Sequence, residues 1–338
     1  MTSTARLAGV MVCLLGCSGA IWGGGAAAHG KAMQEMDDLA TDDVQGVARR
    51  YRDIGPSAVD KLVKAMRGDS RGRVRANAVT ALADVLYHAG RIGDARPYLL
   101  EALRDQDPDV VARAADSLAG WLIGEPGVRE ALARRVPVLR EAAGSPDVIV
   151  QLHAVTALQQ MGEQPPVAGM LAASNAGLRQ QGIDQAAKTR DAAAVPRLIE
   201  LARHDPETFI RVAAIPVAAQ LASPEVRDSF LAPLVDDAKT SVANAAIRAA
   251  GATGAVALAP RLRAIAAEPM GQRTNAAIVA LAALGDQAAI PAIAGHLDDQ
   301  SASVRTDVLA ALNALVGEGR TLPDWQAWAR ERGYLPRK

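Results

Sequence analysis

Cysteine is almost absent: the two in the chain, Cys13 and Cys17, lie close to its start, and residues 29–338 contain none. A disulfide framework and a thiol nucleophile are therefore excluded for that stretch. Aromatic residues make up only 3% of the 338, although half of all residues are hydrophobic. The core must then be assembled from Ala, Leu, Val and Ile, small side chains suited to closely packed helices. An excess of charge of either sign is lacking too, with 37 Lys plus Arg against 37 Asp plus Glu. That balance removes the whole-chain positive field that draws phosphate backbones, so no nucleic-acid partner is expected. His29, His88, His153, His204 and His296 are dispersed, and neither a His-x-x-x-His pair nor a Gly-rich phosphate loop occurs. Asp236-Asp237 and Asp298-Asp299 resemble acid pairs, yet each ends a helical pattern beside a turn, where carboxylates sit solvated or cap the next helix. No catalytic residue and no cofactor are expected.

What is present begins with an export signal. Residues 1–28 carry Arg6, an apolar stretch from Leu7 to Leu15, and Ala26-Ala27-Ala28 as an A-x-A cleavage site. The stretch is shorter than the roughly 20 residues a spanning helix needs, so cleavage is expected rather than a membrane anchor. A second route stays open, because Leu14-Leu15-Gly16-Cys17 resembles the lipobox of bacterial lipoproteins. That resemblance implies a signal of residues 1–16 and an acylated Cys17, although Leu15 stands where the family more often has a small residue. Both routes predict an exported protein, periplasmic or held on the cell envelope, meeting a membrane only through an N-terminal lipid. Residues 29–41 then form a flexible leader. If cleavage follows Ala28, the terminal amine and imidazole of His29, with Met33 and Met36, offer a set of ligands suited to copper.

From residue 42 onward the chain repeats. An apolar or small residue followed by others four and eight positions later gives Val74/Ala78/Leu82, Val110/Ala114/Leu118, Val150/Ala154/Leu158 and Leu178/Gly182/Ala186. The series continues with Ile210/Ala214/Ala218, Val242/Ala246/Ala250, Thr274/Ile278/Ala282 and Val304/Val308/Leu312. Between Leu178 and Thr274 the anchors recur every 32 residues, and elsewhere every 28 to 40. The i, i+4, i+8 stripe predicts a helix opening at each anchor. Asp107-Pro108, Ser145-Pro146 and Asp205-Pro206 supply capping side chains with proline expected in the first turn. Upstream of most anchors a second proline leads an apolar run, as at Pro97, Pro137, Pro196, Pro260 and Pro291. Each unit is thus predicted to be a helix pair.

The Asp/Ser-Pro-x-x-Val/Ile turn, the Arg after the anchor (Arg75, Arg179, Arg211, Arg305) and the Ala-Leu ending of the second helix resemble short HEAT-like repeats, which also occur in the phycobilin lyases. The resemblance covers residues 42–316. It implies an all-α superhelix, a solenoid of about eight helical hairpins. Val111, Gln151, Ala243 and Asn275 replace the Arg, and Gly182 is a weak helix former, so repeats four, six and seven are expected to be less regular.

Residues 317–338 follow as a cap, with Trp325 and Trp328 on one helix face. They either close the last core or form an aromatic platform. The four arginines either build a ladder to acidic residues of neighbouring turns, such as Asp109, Asp147 and Glu207, or line an edge that binds an anionic partner. Such a solenoid is expected to act as a non-enzymatic scaffold for another protein or an extended peptide, with a polysaccharide strand behind these. The phycobilin-lyase resemblance implies the alternative of an enzyme or enzyme subunit acting on a protein-bound tetrapyrrole, against which export argues.

Overall fold

The computed structural model describes residues 36–317 and 319–336, without the side chains of Met36 and Asp37. The export signal, Cys17, His29 and Met33 lie outside the described residues, and Met36 opens a short 3-10 turn, Met36–Leu39. Among the described residues all regular structure is helical. A first helix, α1 (Val44–Ile54), precedes the repeats. Pairs then follow: α2 (Val59–Gly68) with α3 (Gly72–His88), and α4 (Arg96–Ala102) with α5 (Pro108–Trp121). An additional short helix, α6 (Val128–Ala133), stands before the third pair, α7 (Val136–Ala142) and α8 (Val148–Gln160). The fourth pair is α9 (Val167–Ala172) and α10 (Ala176–Thr189), and the fifth is α11 (Val195–His204) and α12 (Thr208–Leu221). Next come α13 (Pro224–Leu234) with α14 (Thr240–Thr253), then α15 (Ala259–Ala266) with α16 (Gln272–Ala283). The eighth pair is α17 (Ile290–Ala294) with α18 (Ala302–Val316), and α19 (Leu322–Glu331) ends the series.

Each of the eight anchors is the third residue of the second helix in its pair. The stripe it starts points into the core, and Val74, Val110, Ile210 and Val242 are fully buried. The first helices are short because the proline at their second position, as at Pro97, Pro137, Pro196, Pro260 and Pro291, begins them and a tight turn soon ends them. The Asp/Ser-Pro turns differ in part from expectation. Asp107 caps α5 with Pro108 as first helical residue, whereas α8 is capped by Asp147 and α12 follows Glu207, leaving Pro146 and Pro206 just outside. The reason is that Asp147 accepts from the backbone N–H groups of Ile149 and Val150, which fixes the start two residues later.

Second helices pack side by side along the chain, α1 on α3, α3 on α5 and α5 on α8, then α10 through α18 in order. The junction between α8 and α10 is the exception, and there the buried core divides into two clusters. Met170 and Leu178 join the N-terminal cluster, while Leu171 and Ile183 join the C-terminal one. Gln151, one of the departures from Arg, bridges this junction: its Nε2 donates to the carbonyls of Ala143 at 3.0 Å and Gly169 at 2.9 Å. Gly182 is also explained here. A Cβ at that position would lie 2.9 Å from Leu171 N and 3.0 Å from Met170 Cβ, so glycine is what lets α10 press against α9. Gly182, expected to weaken repeat four, permits its internal packing, yet repeat four is where the side-by-side packing of second helices breaks, and α6 adds a second irregularity before repeat three.

Candidate functional site

The arginine series is internal. Arg75 Nε and Nη2 donate to both oxygens of Asp105 at 2.8 and 2.9 Å, and its Nη1 donates to the carbonyls of Asp69 and Ser70. Arg179 repeats the pattern one level deeper, with Asp205 at 2.7 and 2.9 Å and the carbonyls of Ala173 and Ser174 at 3.0 and 2.7 Å. Arg211 donates to Asp237 and to the Ala202 carbonyl. Each of these arginines therefore closes its own hairpin turn and holds the carboxylate that ends the first helix of the next pair. Asp105, Asp205 and Asp237 are the partners, not Asp109, Asp147 and Glu207, because the first helix of the next pair lies closer than its second. Arg305, in the last pair, donates among the described residues to the carbonyls of Asp299 and Gln300 and to no carboxylate. With Arg75, Arg179 and Arg211 committed in this way, no rail for an anionic partner is formed. Burial alone would raise the Asp105 carboxyl, but hydrogen bonds from Arg75 and the backbone outweigh it and hold it below the ordinary carboxylate range. The Asp236 carboxyl is pulled down chiefly by its hydrogen bond from Arg261. Asp236 and Asp237 thus serve different arginines and are not an acid pair.

A second polar network was not foreseen. Arg113, fully buried, donates Nε and Nη2 to Asp109 at 2.7 and 2.9 Å and Nη1 to Asn77 Oδ1 at 2.7 Å. Asn77 in turn donates to the carbonyls of Leu39 and Thr41, tying the N-terminal turn to α3. Arg73 extends the network by pairing with Asp42, Asp109 and Asp147, across three successive units. The available signal was the position three after the anchor, where Asn77, Arg113 and His153 interrupt an otherwise apolar stripe.

Trp325 is buried at 1% exposure, and its Nε1 donates to Asn313 Oδ1 at 2.7 Å. Trp328 meets it edge-on at 4.9 Å, and the Arg320 and Arg332 guanidiniums lie over the two rings. Gln326 and Arg330 of the same helix bind Leu297 O and Asp298. The helix α19 closes the C-terminal core, and the platform alternative, which needs both rings in solvent, does not describe it.

On α8, α10 and α12 the positions one before and two, three and six after the anchor reach solvent, whereas on α3, α5 and α16 at least half of them are buried. At the N-terminal end this stripe is covered or charged. On α8 and α12 it is apolar: Leu152 is 43% exposed and Phe209 53% exposed, with Ile149, Val212 and Ala213 half-buried beside them. Between these two patches, α10 presents Gln180, Gln181 and Asp184, the first donating to the last at 2.9 Å. Large apolar side chains held in water on one face, separated by amide groups, form the part of the surface best suited to bind another chain.

Comparison with known proteins agrees with the repeat pattern. The profile for HEAT repeats matches residues 59–137 and again residues 136–217. HEAT repeats are present in this chain. No curated protein sequence matches it. Among solved structures it is similar to YibA of Escherichia coli, at 16% identity and a TM-score of 0.47 over 82% of this chain and 98% of that one. It is also similar to human deoxyhypusine hydroxylase in complex with glycerol, at 25% identity and a TM-score of 0.34 over 86% and 98%. A third similarity is to the karyopherin Kap121p bound to the extreme C-terminus of the protein phosphatase Cdc14p, at 13% identity and a TM-score of 0.44 over 91% and 39%.

Proposed function

We propose that this protein is a non-enzymatic scaffold of the bacterial cell envelope that binds an extended segment of another protein across α8, α10 and α12. The reading is carried by one observation: Leu152 and Phe209 stand about half exposed on the same face of the solenoid, flanking amide groups that can meet a peptide backbone. HEAT repeats supply the regular scaffold on which such a face is built. Export is supported by the Arg6, Leu7 to Leu15 and Ala26-Ala27-Ala28 pattern, and tethering through a lipid by Cys17.

Panning a random peptide library against the full chain tests the reading. Enriched peptides are expected to carry at least two apolar residues, one for each exposed patch. They are expected to lose most of their affinity for Phe209→Asp at an unchanged melting temperature, because Phe209 contributes little to the core. Enriched peptides that bind Phe209→Asp as tightly as the original protein would refute it.

A further inference from the structure

Val110 and Val150 are separated by 40 residues, the longest interval in the series, against 32 in its regular part. The additional residues fold as α6, which has no counterpart in the other pairs. Val128 and Leu132 fix this helix to the core, and Gly127, with φ at 75°, turns the chain into it. Completing the repeat does not require α6. What it creates is a cavity of about 400 Å³ between itself and the end of α4.

The chemistry of that cavity is specific. Leu100, Leu103 and Ala131 form an apolar wall, and three guanidiniums, Arg104, Arg134 and Arg135, line the rest together with Glu130. Arg134 pairs with Glu130 at 2.5 Å. Arg135 donates Nη2 to the Asp105 carbonyl at 3.1 Å, but its Nε is buried and has no acceptor. Among the described residues nothing accepts a hydrogen bond from the Arg104 guanidinium. Three positive groups against one negative leave two charges unbalanced, and the exposed Arg104 guanidinium is the donor that an incoming oxygen can reach.

We propose that this cavity binds a phosphate monoester with an apolar body. Guanidinium forks match phosphate oxygens in geometry, and the surplus of two charges fits a dianion better than a monocarboxylate. The ester's apolar part would lie on Leu100, Leu103 and Ala131. This site is on the side of the first helices and is independent of the face formed by α8, α10 and α12.

Phenyl phosphate is the probe, titrated calorimetrically into the full chain at neutral pH and low salt, with benzoate in parallel. Saturable binding is expected, weakened about tenfold or more by Arg104→Ala, the loss of one charge-assisted hydrogen bond. Arg129→Ala, which removes an equal charge from the outer side of the same α6, should leave it within about twofold. Arg104→Ala should also melt at the original temperature, since that side chain is exposed and holds nothing in place. The proposal is overturned if phenyl phosphate fails to saturate by about 1 mM, the weak end of specific binding. It is equally overturned if Arg104→Ala and Arg129→Ala weaken binding alike, or if benzoate binds as tightly.

Discussion

The rung between Arg179 and Asp205 is the deepest of the ladder, with side-chain exposures of 7% and 1%. Its removal is therefore the sharpest test of how the units are joined. Arg179→Ala leaves the Asp205 carboxylate buried with only the Glu207 backbone N–H, at 2.9 Å, as a remaining donor. It also strips the carbonyls of Ala173 and Ser174 of their donor. Breaking a buried ion pair by removing one partner costs about 3–5 kcal/mol, because an uncompensated charge stays behind. Removing both charges is a different perturbation. The double variant Arg179→Met with Asp205→Asn keeps the volume and the turn hydrogen bond, and it should lie within about 2 kcal/mol of the original protein. Arg305→Ala provides the contrast, since that side chain holds two carbonyls and no carboxylate; about 1 kcal/mol is expected. Guanidinium unfolding followed by circular dichroism reads all three. The rung also sits beside the junction of the two core clusters, so Arg179→Ala should separate the transition into two steps. If Arg179→Ala costs under about 1 kcal/mol, or no more than Arg305→Ala, the ladder is ornament and the reasoning fails.

Gly182→Ala should destabilise by about 1–3 kcal/mol despite alanine's better helix propensity, because the new methyl meets Leu171 backbone at 2.9 Å; a stabilised variant in thermal melts would show that α9 can move aside. Leu118→Ala empties a fully buried site and should cost about 2–5 kcal/mol by denaturant titration. Trp325→Phe should cost about 1–2 kcal/mol by losing the hydrogen bond to Asn313, and should raise amide exchange in α18 and α19 while leaving α3 unchanged. Asp105 and Asp147 have folded pKa values below their unfolded ones, against the opposing effect of burial. Their contribution is thus complete above the unfolded pKa of about 3.9 and is lost as pH falls through the folded values. Melting temperature should be level between about pH 7 and 5 and drop below about pH 4, and a protein that grows more stable on acidification would contradict the sign.

The repeat architecture was legible because one residue pattern recurs: anchors such as Val74 and Ile210 sit in the same register of eight helices, and apolar periodicity reports burial directly. The helix α6 was hidden in a 40-residue interval, since Val128 and Leu132 are too few to form a stripe. Gly182 misled, because propensity describes an isolated helix and not the backbone pressed against it. The ladder's arginines were visible by spacing, but their partners required knowing which element of the next unit lies nearer. Arg113 and Asn77 could be seen as polar interruptions, while their meeting across 36 positions of sequence follows from packing alone. The candidate binding face was least legible. Leu152 and Phe209 look like core residues in the sequence, and only the packing of α8 and α12 leaves them in water.

The most direct test of that face is photo-crosslinking in the native host, with benzoylphenylalanine placed singly at Leu152, Phe209, Val226 and Val256. All four positions are exposed apolar residues of the folded chain, but only the first two lie on the proposed binding face. One discrete adduct, shared by positions 152 and 209 and missing from 226 and 256, is the predicted result. Adducts at Val226 or Val256 with none at Leu152 and Phe209 would place the working surface on the other side of the solenoid and contradict the account.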